Sequence, residues 1–251
     1  MAADCGRHMR WVVMLLLLAA GCLGDVMGTS GHSSLVSPLT REFDESCRLG
    51  GKPPYIKDCH GPCSREFKRP NYKIETHGRG SVMKVIYFRN RHKNGFMRLT
   101  LVPTKHRYNH NVHHRNAFRW SCWEHGEVPC PNRSQSECGN DNLGRRYQQW
   151  VKIPPVFPDG DYVLGFAWFG GYGLGTYWSC AEIRIQGGDP VQDSYQPEFV
   201  DNRGGRCMSS VTNPWNCRRE PCWNPQPAMR KPQEFENGKR PPPLKRWQVL
   251  T

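Results

Sequence analysis

The sequence predicts an all-β protein, an immunoglobulin/fibronectin-III-like antiparallel β-sandwich with long disulfide-tied loops. Three observations lead there. From Val82 onward the chain runs in short stretches rich in aromatic and β-branched residues, broken by Gly, Pro and Asn. None of these stretches carries the long 3.6-residue periodicity of helices. Beyond the N-terminal segment the chain also keeps an even set of cysteines, the mark of loops tied by disulfides.

The chain opens with "WVVMLLLLAAGCL" (Trp11 to Leu23), preceded by Arg7 and Arg10 and followed by small residues ending in Thr29, Ser30 and Gly31. A basic flank, an apolar run too short to span a bilayer and a small-residue region are the parts of a secretory leader, so residues 1–31 are expected to be removed. No other stretch is apolar enough to cross a membrane, and a secreted, extracellular monomer without a membrane span is expected. Cleavage after Gly31 leaves 220 of the 251 residues, enough for one sandwich and an appendage.

Of the 12 cysteines, Cys5 and Cys22 depart with the leader, and Cys47, Cys59, Cys63, Cys122, Cys130, Cys138, Cys180, Cys207, Cys217 and Cys222 remain. The spacing of Cys59 and Cys63 is compatible with zinc, but an oxidising compartment favours disulfides, whose pairing the sequence leaves open. The formal charge of +13 is unchanged by cleavage, because the leader carries two arginines and two aspartates. A basic surface favours polyanions. Secretion excludes nucleic acid from these and leaves acidic polysaccharide or a negatively charged cell wall.

Residues 32–80 lack periodicity, and "GGKPPY" and "DCHGPC" predict an irregular, disulfide-tied segment over one end of the sandwich. Strands are predicted at Ser81 to Phe88, Phe96 to Pro103, Ala117 to Trp123, Tyr147 to Ile153, Asp161 to Phe169 and Thr176 to Ile185. "QGGDP" then ends the domain at residue 188. Residues 189–251 form an extension with three cysteines and three tryptophans, and its basic, proline-rich last ~15 residues are expected to be disordered. Asn132 in "NRS" fits the N-glycosylation pattern.

The histidines carry the chemistry. Once Gly31 is removed, His32 offers a free α-amine and an imidazole from one residue; a second imidazole completes three nitrogens, a set suited to copper. That second histidine is His92, between two predicted strands, or one of the cluster His110, His113 and His114, or one of the isolated His60, His77, His106 and His125. Spacing alone favours the cluster. No pair of carboxylates stands out, as a glycoside hydrolase would require.

The pieces "HSSLVSPLTR", "HKNGFMRL" and "GDYVLGFAWFG…TYWSCAEIRI", in that order, resemble a lytic polysaccharide monooxygenase of the animal, algal and oomycete type. The resemblance covers about residues 32 to 186, and Phe166 stands where that pattern often has tryptophan. It implies one copper ion per chain, with His32 (amine and ring) and His92 as equatorial ligands and Tyr177 on the axial side. It implies oxidative cleavage of a glycosidic chain by hydroxylation at C1 or C4, with O2 or H2O2 as co-substrate and an external electron donor. Chitin, cellulose, xylan and pectin are the candidate substrates, and Tyr172 is a candidate for stacking on sugar. Candidates for hydrogen-bonding to the ligands and orienting them are His110, Gln148, Gln149 and Glu182. Two other readings stand beside the enzyme: a non-catalytic copper- or polysaccharide-binding module of the same fold, and a metal-free disulfide-rich domain.

Overall fold

In "FMRLTLVP" Met97, Leu99 and Leu101 alternate with Arg98, Thr100 and Val102, so the two sets point to opposite faces of a sheet. Both sets are buried, which places this strand at the centre of a sheet covered on both sides. The computed structural model describes residues 33–41, 47–49, 62–63, 72–89, 96–122, 125–129, 145–169, 176–200 and 241–251; for Tyr177 and a few other element-end residues it describes the backbone alone.

The chain order is β1 (Ser33–Ser37), β2 (Cys47–Leu49), β3 (Glu75–Arg79), β4 (Val82–Arg89), β5 (Phe96–Pro103), a 3-10 turn (Thr104–His106), α1 (His110–Arg115), β6 (Ala117–Cys122), β7 (Glu127–Pro129), β8 (Arg145–Lys152), β9 (Gly160–Phe169), β10 (Thr176–Gly188), β11 (Ser194–Tyr195), β12 (Glu198–Val200), β13 (Leu244–Lys245) and α2 (Arg246–Val249). The six strands expected from pattern are β4, β5, β6, β8, β9 and β10, and β5 has the expected bounds.

Two sheets form an immunoglobulin-like sandwich. The smaller has the order β1-β4-β8-β7; the larger runs β12-β6-β5-β9-β10-β2, with β3 also pairing β10. Most pairs are antiparallel, as expected, but β3 with β10 and β12 with β6 are parallel. Between the sheets lie Met83, Val85 and Tyr87 from β4, Tyr147 and Val151 from β8, Met97, Leu99 and Leu101 from β5, and Tyr162, Leu164, Phe166 and Trp168 from β9. Tyr87 stacks on Tyr147 with ring centroids 5.3 Å apart and touches Phe166 at 5.1 Å. Phe166 thus fills the centre of the core.

Three parts of the chain differ from expectation. The segment 32–80 supplies β1, β2 and β3, because short polar stretches gain a strand's hydrogen bonds when a long partner such as β10 is already in place. The histidine cluster, for which no helix is predicted, lies on α1, capped by Asn109, whose side chain accepts from the backbone N–H of Asn111 and Val112. Residues 241–251, expected to be disordered, are ordered: β13 pairs β11, and Leu244 and Val249 are buried in the core. Two apolar anchors there outweigh a composition dominated by proline and basic residues.

The outer face of the larger sheet is covered as well. Cys63 forms a disulfide with Cys180 of β10, a pairing 117 residues apart in sequence, and both pack on Val163. Such a link contributes about 2–5 kcal/mol. Arg98 lies between two indoles, 5.4 Å from the ring centre of Trp120 and 5.1 Å from that of Trp178, within the range of cation–π attraction. Among the described residues, no helix is long and apolar enough to cross a membrane.

Candidate functional site

His32, His92, Tyr172 and Asn132 lie outside the described residues. The strands beside these histidines are described, and their ends gather at one end of the sandwich. Ser33, which follows His32 and opens β1, lies opposite Arg89, the last residue of β4, three positions before His92. In the larger sheet Phe96 opens β5 opposite Phe169, the last residue of β9, and Phe169 lies opposite Thr176, the first of β10. Tyr177 is the next residue of β10, in register with Trp168 and, through it, with Met97. The sheets are tied together near this end by the backbone N–H of Leu35, which donates to Oγ of Ser179 at 2.9 Å.

The four residues expected to orient the ligands occupy different places. Gln149 is buried between the sheets: Nε2 donates to the Tyr87 hydroxyl at 2.9 Å and to Ser121 Oγ at 2.7 Å, while Oε1 accepts from Arg119 Nε at 3.0 Å. Arg119 also donates to Glu198 Oε2 at 2.8 Å. Gln149 is therefore the hub of an internal polar network, and low dielectric makes each of its bonds costly to break. Nothing in the alternation of "AFRWSC" marks Arg119 as its partner; only the facing of β6 and β8 across the sandwich does so.

Gln148 is the next residue of β8, with its backbone N–H donating to the Gly126 carbonyl. Glu182 sits on the outer face of the larger sheet, five residues along β10 from Tyr177, where Oε1 accepts from Arg41 at 2.8 Å and from Arg107 at 2.5 Å. At a strand rise of ~3.4 Å per residue this is about 17 Å away. Glu182 is shared by two arginines there. His110 is nearer the sandwich end: its ring meets Trp178, the neighbour of Tyr177, edge-on with centroids 5.5 Å apart.

One member of the histidine cluster has a structural task. His113 is fully buried, and its Nε2 lies 2.9 Å from the Arg107 carbonyl, which can only accept. Nε2 therefore carries the proton, and Nδ1 accepts from the Thr100 hydroxyl at 2.7 Å. With both nitrogens engaged the ring has no lone pair left for a metal. Burial, then the charges of Arg98 and His110, holds its pKa well below the ordinary histidine value. The ring occupies the space over Gly165, where an added Cβ would come within 2.6 Å of Nδ1 and 2.4 Å of Thr100 Oγ1. Among the described residues, no group of three His, Cys, Asp or Glu side chains is placed to hold a metal.

No protein-family model and no characterised protein sequence matches the chain. Among solved structures, one similar to it is Cel61B from Hypocrea jecorina, a glycoside hydrolase family 61 member, at 16% identity and a TM-score of 0.28, over 51% of this chain and 57% of that one. Another is the extended catalytic domain of LPMO9A, also called EG4, from the same organism, at 16% identity and a TM-score of 0.33, over 66% of this chain and 75% of that one. Superpositions this loose leave the fold to rest on its own strand pairing and the site on its own residues.

Proposed function

We propose that the protein is a secreted copper-dependent enzyme that cleaves a polysaccharide oxidatively, by hydroxylation at C1 or C4. The observation that carries this reading is the pairing of Ser33 with Arg89, which draws the chain on either side of His32 and His92 to one end of the sandwich. Removal of the leader turns the His32 nitrogen from an amide into an amine, and the donor set becomes one amine and two imidazoles. Neutral nitrogen donors of this kind suit copper.

His32, through its amine and ring, and His92, through its ring, would hold the ion, and Tyr177 would be a further ligand candidate. Bound copper supplies redox chemistry with O2 or H2O2 once an external donor has delivered an electron. The chain's own part is to fix the ligands and to present sugar. β1 is hydrogen-bonded along β4 and tied through Leu35 to Ser179, so the residue after His32 is held from two sides. Trp178, packed between Arg98 and His110, gives Tyr177 a rigid neighbour. Tyr172, which falls in sequence between β9 and β10, would stack on a sugar ring.

The deciding experiment is mass spectrometry of products after the secreted protein is loaded with copper and incubated with a reductant and chitin, cellulose, xylan or pectin. Oxidised oligosaccharides from at least one are expected. Copper bound in three-nitrogen geometry without such products would overturn the enzymatic reading and leave a copper-binding module of the same fold.

A further inference from the structure

The two sheets treat their outer faces differently. That of the larger sheet is sealed by α1, by Cys63 and by the indoles around Arg98. On the smaller sheet an indole stands in the open: Trp150 is 62% exposed, although β8 lies inside the sheet, between β4 and β7. A solvated antiparallel face is ordinarily polar.

The neighbours of Trp150 on this face follow from register. Lys84 lies directly opposite it, and Val82, 56% exposed, lies opposite Lys152 two residues further along. Direct cross-strand neighbours have Cβ atoms about 5 Å apart, and residues i and i+2 share a face about 7 Å apart. One face of the sheet thus carries an open indole with a lysine across from it and a second lysine beside it. Among the described residues neither lysine forms an ion pair, and no ring or cation stacks on Trp150. The patch ends toward the candidate copper site at Ile86, which is buried.

We infer that this face binds an anionic polysaccharide. The flat apolar side of a sugar ring, with its C–H bonds, matches the electron-rich face of an indole. A carboxylate carried on a neighbouring sugar matches an ammonium that has no ion-pair partner among the described residues, and the chain's formal charge of +13 draws polyanions to the surface. Lys84 is five residues from Arg89 along β4, so this surface lies about 17 Å from the strand end beside the candidate copper site. It anchors a chain away from the place where the chain would be cut. The inference does not depend on copper at His32.

The test is affinity electrophoresis of the secreted protein in gels containing polygalacturonate, with EDTA present so that metal plays no part. Trp150→Ala should weaken retardation about tenfold, as should the double variant Lys84→Gln/Lys152→Gln, which should also lose most of the salt dependence. Trp247→Ala, which removes an indole 70% exposed on α2, should leave retardation unchanged. Because Trp150 is exposed, its variant should melt with the parent. Equal retardation of parent and Trp150→Ala would overturn the inference, as would equal retardation by fully methyl-esterified polymer. Binding to phosphatidylserine vesicles with no retardation by polygalacturonate would overturn it in favour of a membrane surface.

Discussion

Ser33 and Arg89 face each other across the β1–β4 pair, so the residue that follows His32 and the last residue of the strand that precedes His92 occupy one end of the sandwich. N-terminal sequencing of the secreted protein should begin at His32. A variant carrying one extra residue ahead of it should lose the amine ligand, and His92→Ala should lose a ring nitrogen. In each, the copper EPR spectrum of three nitrogens should be replaced. Copper affinity should fall by more than the roughly 10–100-fold that loss of an outer-shell partner costs.

Gly165 is the floor of the His113 site. Its replacement by alanine places a methyl group within 2.4 Å of Thr100 Oγ1 and 2.6 Å of His113 Nδ1, both in a fully packed region. Gly165→Ala should destabilise the fold by about 1–3 kcal/mol, the usual range for overpacking, read from urea unfolding.

His113 also sets a pH dependence. Its folded pKa is depressed below the ordinary 6.5, so between the two values the unfolded chain binds a proton that the folded one does not. Its contribution to stability is complete above about 6.5 and is lost as pH falls below that value. Unfolding midpoints measured across this range should decline toward acid. In His113→Gln, the decline should be shallower.

The C-terminal segment is part of the core. Leu244 and Val249 are buried, and Asn116 Nδ2 donates to both the Leu101 carbonyl at 2.9 Å and the Val249 carbonyl at 3.0 Å. Ending the chain at residue 240 should cost about 3–6 kcal/mol from the two side chains, at 1.5–3 kcal/mol each. A truncated protein that melts with the parent would refute this role.

Much of the sandwich was legible before folding, because its long strands are runs of aromatic and aliphatic residues broken by Gly, Pro and Asn. β5, β9 and β10 read this way, and most of their side chains are buried on both faces of the sheet. The short elements were not legible. "ETHGR" of β3 has no pattern of its own and is a strand because β10 offers it a partner. The same holds for Leu244 and Lys245.

The chain by itself carries the pattern expected of a secretory leader, and it determined a cysteine set suited to disulfides, six principal strands and the order of the histidines beside them. These are properties of local composition and spacing. Only the tertiary structure decided which side chains meet. It joined Cys63 to Cys180, engaged both nitrogens of His113, surrounded Gln149 with Tyr87, Ser121 and Arg119, and left Trp150 open beside Lys84. Each of these contacts joins residues distant in sequence or depends on which face of a sheet is covered, and both are fixed by register and layer packing rather than by neighbours along the chain.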